Sequence, residues 1–271
     1  MKIIIDELWN VRDSLNKNSL KEPEIKKAIL DTIDNLDNGK VKVAHKIDNR
    51  WEANYWVKKA IILYLKVSQN YLIGDGSLTY FDRISLKFNG WNQMKFESAG
   101  IRISPSTSVQ KGTFLSKGAS LKGCFVEIGS YVGENTFIAP FTSVGSCAYI
   151  GDSVSIGSNV TIANSLEPLH TPPAVIEDNC KIDSKCDISA GIIVREGSIL
   201  TTGVTINKYT KILDKETGQY FYGEIPPYSL VVAGVIPSED GKVFLNGAVI
   251  VKRLDENMSD EEIDDILKRH K

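Results

Sequence analysis

From Val126 onward an aliphatic residue returns at every sixth position: Val126, Val132, Ile138, Val144, Ile150, Ile156 and Ile162. After a break the beat resumes at Ile176, Ile182, Ile188, Val194, Leu200, Ile206 and Ile212, and a shorter lead-in stands at Ile103, Val109, Leu115 and Leu121. A period of six matches neither the period of about 3.6 of a helix nor the alternation of a lone strand; it marks short repeated strands joined by bends. Three hexads close one triangular coil, so every repeat aliphatic points into a shared column. Each coil stacks on the last by backbone hydrogen bonding at roughly 4.8 Å. The run from Ile103 to Ile212 therefore builds a parallel β-helix of about six coils, roughly 29 Å tall.

The other hexad positions agree. A glycine often follows the aliphatic, as in Val144-Gly145, Ile150-Gly151 and Ile156-Gly157, and supplies bend conformations that other residues adopt at a cost. The fifth position is small or modest (Ser130, Thr136, Thr142, Ala148, Val154, Val160, Cys180, Cys186), because bulk near a corner of the column would overpack it. Two breaks interrupt the register. One residue is missing between Leu121 and Val126, and about eight are added between Ile162 and Ile176, where Asn164 to Pro173 reads as a loop thrown out of the prism. A loop of that length in a regular solenoid marks function.

Residues 1–100 lack the beat and form an N-terminal α/β domain ahead of a prism at 101–217 and a C-terminal β segment with a terminal helix at 218–271. Leu8, Val11 and Leu15 predict a first amphipathic helix. A second runs from Pro23 to Leu36, with Asn38-Gly39 as its stop. Lys40 to Trp56 predicts a hairpin turning at Asp48-Asn49, and Trp56 to Val67 an apolar helix. Strands are expected at Leu230 to Val235 and Val243 to Lys252, and Ser259 to Glu262 has the pattern of a capping box.

Composition narrows the partners. The 271 residues carry 32 Lys plus Arg against 34 Asp plus Glu, which points to neither a nucleic acid nor a membrane surface. No apolar run is long enough to span a bilayer and no signal peptide opens the chain. The four cysteines all fall in the prism without ligand-type spacing, so a cytoplasmic, reduced, metal-free protein is expected.

The prism resembles that of the hexapeptide-repeat acyltransferases, which implies a left-handed β-helix, a homotrimer, and acyl-CoA lying in the cleft between neighbouring prisms. The flanks narrow the resemblance. Asp34 to Asp48, Trp56 to Leu63, Val144 to Ala148, Leu166 to Leu169, Ile176 to Cys180, Val194 to Ser198, Asp214 to Gly218 and Ala248 to Lys252 are similar, in order, to the tetrahydrodipicolinate N-succinyltransferase family. The resemblance implies transfer of succinyl from succinyl-CoA to the amino group of ring-opened tetrahydrodipicolinate, an amino dicarboxylate. Such chemistry needs a base for the amine proton, donors for the developing oxyanion, and cations for the substrate carboxylates.

Arg102 matches the family's substrate-binding arginine. The chain departs from the family where that family reads Val-Asp-Thr-Trp and its Asp contacts the reacting amine: here stands Ile138-Ala139-Pro140-Phe141. The family's second acidic position, usually Glu, is Asp187, and the Glu three residues later is Ala190. The base is then Asp187, helped by His170 in the ejected loop, since imidazole exchanges protons near neutral pH. Glu127 is a further candidate near the substrate; the alternatives are a solvent-exposed loop histidine and a prism-corner carboxylate. His45 and His270 receive no role. For CoA the resemblance points to Gly191 through Lys252, with Gly203, Lys208 and Lys252 as candidate contacts; Lys208, Lys211 and Lys252 are the candidates for the phosphates, and the alternative for each is an ordinary surface lysine. Three readings follow: the lysine-pathway succinyltransferase; a relative in secondary metabolism of the tabtoxin type, with another acceptor or with acetyl-CoA as donor; and an inactive CoA-binding trimeric scaffold.

Overall fold

The computed structural model describes residues 1–74, 79–238, 240–256 and 258–269; His270 lies outside them. The hexads form two-residue strands stacked in parallel on three faces of a left-handed prism. The first face begins at Arg102–Ile103 and climbs through Lys181–Ile182 and Ile199–Leu200. The second runs from Ser108–Val109 to Asp187–Ile188 and Thr205–Ile206, and the third from Phe114–Leu115 to Ile193–Val194 and Glu224–Ile225. In each strand the second residue is the hexad aliphatic and points inward, so that Ile138, Ile156, Ile182 and Leu200 lie one above another in a buried column.

Both register breaks are absorbed in bends. Val109 pairs directly with Val126 despite the missing residue, and Ile150 pairs with Ile176 across the added ones, so the extra segment leaves the ladder undisturbed. The fifth-position hydroxyls are satisfied by the coil above: Thr136 Oγ1 donates to the Gly151 carbonyl and Thr142 Oγ1 to that of Gly157, each at 2.7 Å. Gly151 is required by this spacing. A Cβ there would lie 2.2 Å from Asp178 Oδ1 and 2.7 Å from the Asp178 backbone nitrogen.

The sixth-position rule fails at Ile212. The third face continues instead through Glu224–Ile225, while Ile212–Asp214 pairs in parallel with Phe244–Arg253. The cause is Asp214, whose buried carboxylate accepts from the Glu216 and Thr217 backbone N–H groups and pairs with Arg253, turning the chain back at Gly218. Ser229–Pro237 and Phe244–Arg253 then form the antiparallel ribbon that closes the first face.

In the N-terminal domain, α1 (Lys2–Asn10), α2 (Pro23–Asp37) and α3 (Tyr55–Val67) pack around Ile5, Ile29, Ile33, Val57, Ile61 and Leu63. Helix α1 starts and stops earlier than the Leu8, Val11, Leu15 spacing implies. Ile5 and Leu8 define its buried side, and Val11, beyond its end, is 52% exposed. A hairpin of Tyr71–Ile73 with Tyr80–Asp82 and the short α4 (Gln93–Ala99) complete the domain. Asn92 caps α4 by accepting from the Lys95 N–H, and Gly100 ends it in the left-handed region. At the other end of the chain α5 (Asp260–Arg269) opens with Ser259 and Glu262 in a reciprocal cap and packs Ile263 over Leu230, Val251 and Leu254. Among the described residues no helix is long and apolar enough to cross a membrane.

The N-terminal domain docks on the third face. Asp48 and Asn49 both have positive φ, as a tight hairpin turn demands, between Ala44–Ile47 and Arg50–Ala53. The outward residues Phe114, Tyr131 and Tyr149 stack at 5.2 and 4.9 Å between centroids, Trp51 of the hairpin meets Tyr149 at 4.5 Å, and Lys42 Nζ lies 3.7 Å over Tyr131. Beside them Glu177 is the hub of the junction. It receives Trp51 Nε1–H at 2.7 Å, Lys46 at 2.8 Å, Arg195 at 3.1 Å and the Glu196 backbone N–H at 3.1 Å. Arg195 also grips Glu224 with two bonds of 2.8 and 3.1 Å.

Burial pushes the Glu177 carboxyl up, but the bonds from Lys46, Trp51 and Glu196 outweigh it and hold the group below its ordinary value. A depressed carboxyl adds stability above its ordinary pKa and loses it as pH falls through the lowered one. Glu177→Gln should therefore weaken the docked domain by about 1–3 kcal/mol near neutral pH. The difference from wild type should shrink in acid below the ordinary value of 4.5. Urea unfolding followed by tryptophan fluorescence at several pH values measures both.

Candidate functional site

Most of the predicted site residues fall on the second face or its two rims. Asp187 is the outward residue of its strand, half-buried between Thr161 and Thr205 of the neighbouring coils. Gly203 lies in the bend that leads into the next strand up, and Lys208 in the bend that leaves it, its ammonium 4.7 Å from the Tyr209 ring centroid. Asp187 thus sits on the upper part of one face, with Gly203 and Lys208 on its opposite rims. Two coils below Asp187, Ala139 occupies the bend between the first and second faces and is nearly buried; Pro140 follows, then Phe141 at φ 62° and 74% exposed. A bulky residue in the left-handed region is uncommon and marks local strain.

Glu127, in the bend between the second and third faces, is held by the backbone. It accepts from Ser146 N–H at 2.9 Å, Ser146 Oγ at 2.8 Å and Asn164 Nδ2 at 3.3 Å. It thereby joins two bends to the first residue of the ejected loop. Carboxylates so engaged serve as clips, and these bonds favour its reading as a corner carboxylate.

The structure keeps two predicted contacts away from that cluster. Arg102 is exposed at the outer end of the first face, four layers from the coil of Asp187. Four layers are roughly 19 Å along the axis, and the two strands lie on different faces, so one small acceptor cannot touch both side chains of one chain. Lys252 belongs to the closing ribbon and is paired with Glu216 at 2.8 Å. That ion pair raises the Lys252 ammonium through the Glu216 hydrogen bond.

The ejected loop folds toward the N-terminal domain. Ser165 N–H donates to the Ser146 carbonyl, and Leu166 is buried in the core around α3. Lys58 Nζ donates to the Leu169 carbonyl at 2.8 Å and the Thr171 carbonyl at 2.7 Å, and Tyr55 Oη–H donates to that of His170 at 3.4 Å. The His170 side chain is exposed. Sequence reasoning passed over Lys58 and Tyr55. The available signal was a lysine at a core-facing position of a strongly apolar helix, where Val57, Lys58, Ile61 and Tyr64 are all buried.

Two cavities flank the loop and hairpin. One of about 450 Å³ is walled by Trp51, Tyr55, Pro172, Pro173, Val175 and Ile193; another of about 240 Å³ is lined by His45, Lys46, Trp51, Tyr149 and Glu177. His45, which the sequence left without a role, has a buried Nδ1 with no hydrogen-bond partner. Asp187 lines neither, and its face is open: Phe125, Thr161 and Thr205 are exposed.

Residues 1–67 match the family model described as tetrahydrodipicolinate N-succinyltransferase N-terminal, and residues 129–164 match that of the bacterial transferase hexapeptide, six repeats. Similar proteins include a 2,3,4,5-tetrahydropyridine-2,6-dicarboxylate N-succinyltransferase of Tolumonas auensis, 46% identical over 252 residues, which are 93% of this chain and 91% of that one. A protein of the same description from Dechloromonas aromatica is 39% identical over 269 residues, 99% and 98% of the two chains. Another from Chromobacterium violaceum is 46% identical over 247 residues, 91% and 90% of the two chains.

Proposed function

The chain belongs to the tetrahydropyridine-2,6-dicarboxylate N-succinyltransferase family, and from that membership we propose that it transfers succinyl from succinyl-CoA to the amino group of ring-opened tetrahydrodipicolinate or a close analogue. It is an N-acyltransferase. The observation that carries the reading is the family match over 93% of the chain, and it is supported by the open upper second face, where Asp187 stands with Gly203 and Lys208 on its rims.

In the proposed reaction the acceptor's neutral amine attacks the thioester carbonyl. Asp187 takes the amine proton, a backbone N–H of a prism bend holds the oxyanion, and collapse of the tetrahedral intermediate expels the CoA thiolate, which is then protonated. His170 assists from the loop, and Arg102 binds an acceptor carboxylate. Because Arg102 and Asp187 of one chain cannot reach the same acceptor, the assignment requires neighbouring copies to complete each site. The exposed aromatics Phe125, Phe137 and Phe141, all on or beside the first and second faces, support such packing. The acyl-CoA lies in the cleft between prisms, with Lys208, on the rim of the Asp187 face, as a candidate phosphate contact.

A second reading is favoured by one residue. Ala139 leaves a nearly buried methyl where the family has a carboxylate against the amine. That change suits an altered acceptor, or acetyl-CoA as donor, in a secondary pathway. An inactive scaffold would turn over neither donor.

Light scattering should give a particle of three 30.0 kDa chains; a single-chain mass at micromolar concentration rejects the shared site. Arg102→Ala should raise the acceptor KM far more than that of the acyl-CoA, and equal effects on both contradict its role.

Thiol release with succinyl-CoA and acetyl-CoA, against a panel of amino dicarboxylates, tests the reaction itself. Asp187→Asn should lower kcat by about 100- to 10,000-fold with CoA affinity nearly unchanged. His170→Gln decides between helper and bystander by costing a similar factor or nothing. Near-full turnover in both variants overturns the mechanism, and a gain of succinyl transfer in Ala139→Asp would identify the second reading.

A further inference from the structure

Lys58 is among the largest fully buried side chains of the protein, with 0% of its surface exposed. Among the described residues no carboxylate pairs with it. Its ammonium is ligated instead by two carbonyls of the ejected loop, and the Tyr55 ring lies 5.7 Å away. Burying a charge without a counter-ion is costly and persists only where hydrogen bonds replace water. Burial also draws the Lys58 pKa down from its ordinary value.

The carbonyls it holds are those of Leu169 and Thr171, on either side of His170, whose own carbonyl accepts from Tyr55. Three consecutive loop residues are thus bound by the first turn of α3. The helix is itself anchored by Val57, Ala60 and Ile61, all fully buried. The loop departs from the prism, yet its middle is fixed to the other domain.

We propose that Lys58 is a positioning residue for acyl transfer: it fastens the ejected loop to α3 and so fixes His170 and the Pro172-Pro173 wall relative to the prism. This rests on the reading that places the loop in the active site. The structure favours an effect on loop order over an effect on stability. Lys58→Met fills the same space with apolar atoms and removes a buried charge that has no counter-ion, so the surrounding core loses little. It leaves the Leu169 and Thr171 carbonyls without donors, which the loop relieves by moving into water.

The test combines amide hydrogen exchange, thermal unfolding and thiol release on full-length Lys58→Met, with Lys58→Gln as a second variant that keeps a donor. In Lys58→Met, exchange across residues 166–173 should rise about ten- to a hundredfold while peptides of α3 stay protected. Tm should hold, kcat should fall about tenfold, and the loss should not add to that of His170→Gln. Lys58→Gln should fall between wild type and Lys58→Met in both exchange and kcat, and it carries the test if Lys58→Met does not fold. Unchanged loop exchange, or raised exchange with unchanged kcat, overturns the proposal. If His170→Gln keeps full turnover while Lys58→Met lowers it, the positioning role stands and the helper role of His170 fails.

Discussion

The layer spacing of a parallel ladder, roughly 4.8 Å, is the constraint from which the rest of this structure follows. Within the hexad coils it is met by two-residue strands with an inward aliphatic, hydroxyl or small residues near the corners, and glycines such as Gly151 where one coil lies against the next. It also fixes what the outward residues can do. Every outward position on a face repeats at the same spacing, so Phe114, Tyr131 and Tyr149 form a stacked aromatic column on the third face. On the second face the same rule places Asp187 directly between Thr161 and Thr205.

The three faces thereby acquire separate tasks. The third is covered by the N-terminal domain through the aromatic column and the Glu177 hub, and the upper first face by the closing ribbon and α5. The second remains open and carries Asp187, with Lys208 on its rim. The ejected loop links these tasks, because it springs from the rim between the second and third faces and is tied down by α3. Anchored in this way, the loop makes the N-terminal domain a tether for this segment as well as a cover for the third face.

The placement of Arg102 bears on the assembly. An arginine and an aspartate separated by four coils and a change of face can serve one substrate only if they come from different chains. A rigid prism cannot bend to bring them together, since its column is close-packed from end to end. Association is then a condition of the proposed chemistry, and apolar residues such as Phe125 and Phe141 on the open side fit that condition.

The prism was legible in the chain because its period is local and repeats: each hexad states the inward residue, the bend and the small corner, and the departures at Leu121 to Val126 and at Asn164 to Pro173 are visible as counts. The hairpin at Asp48-Asn49 and the helix from Pro23 were legible for the same reason, through turn and cap residues acting within a few positions. Ile212 was misplaced because the hexad beat cannot register Asp214, whose pull comes from Arg253 on a distant strand. Lys58 was overlooked because its partners are 111 and 113 residues away. The separation of Arg102 from Asp187 is likewise a property of stacking height and face. By itself the sequence determined the coil, its breaks and the residue types available for chemistry. Only the tertiary structure decided which of those residues share a face and which contacts hold the loop, since both depend on layers that meet in space without being near in the chain.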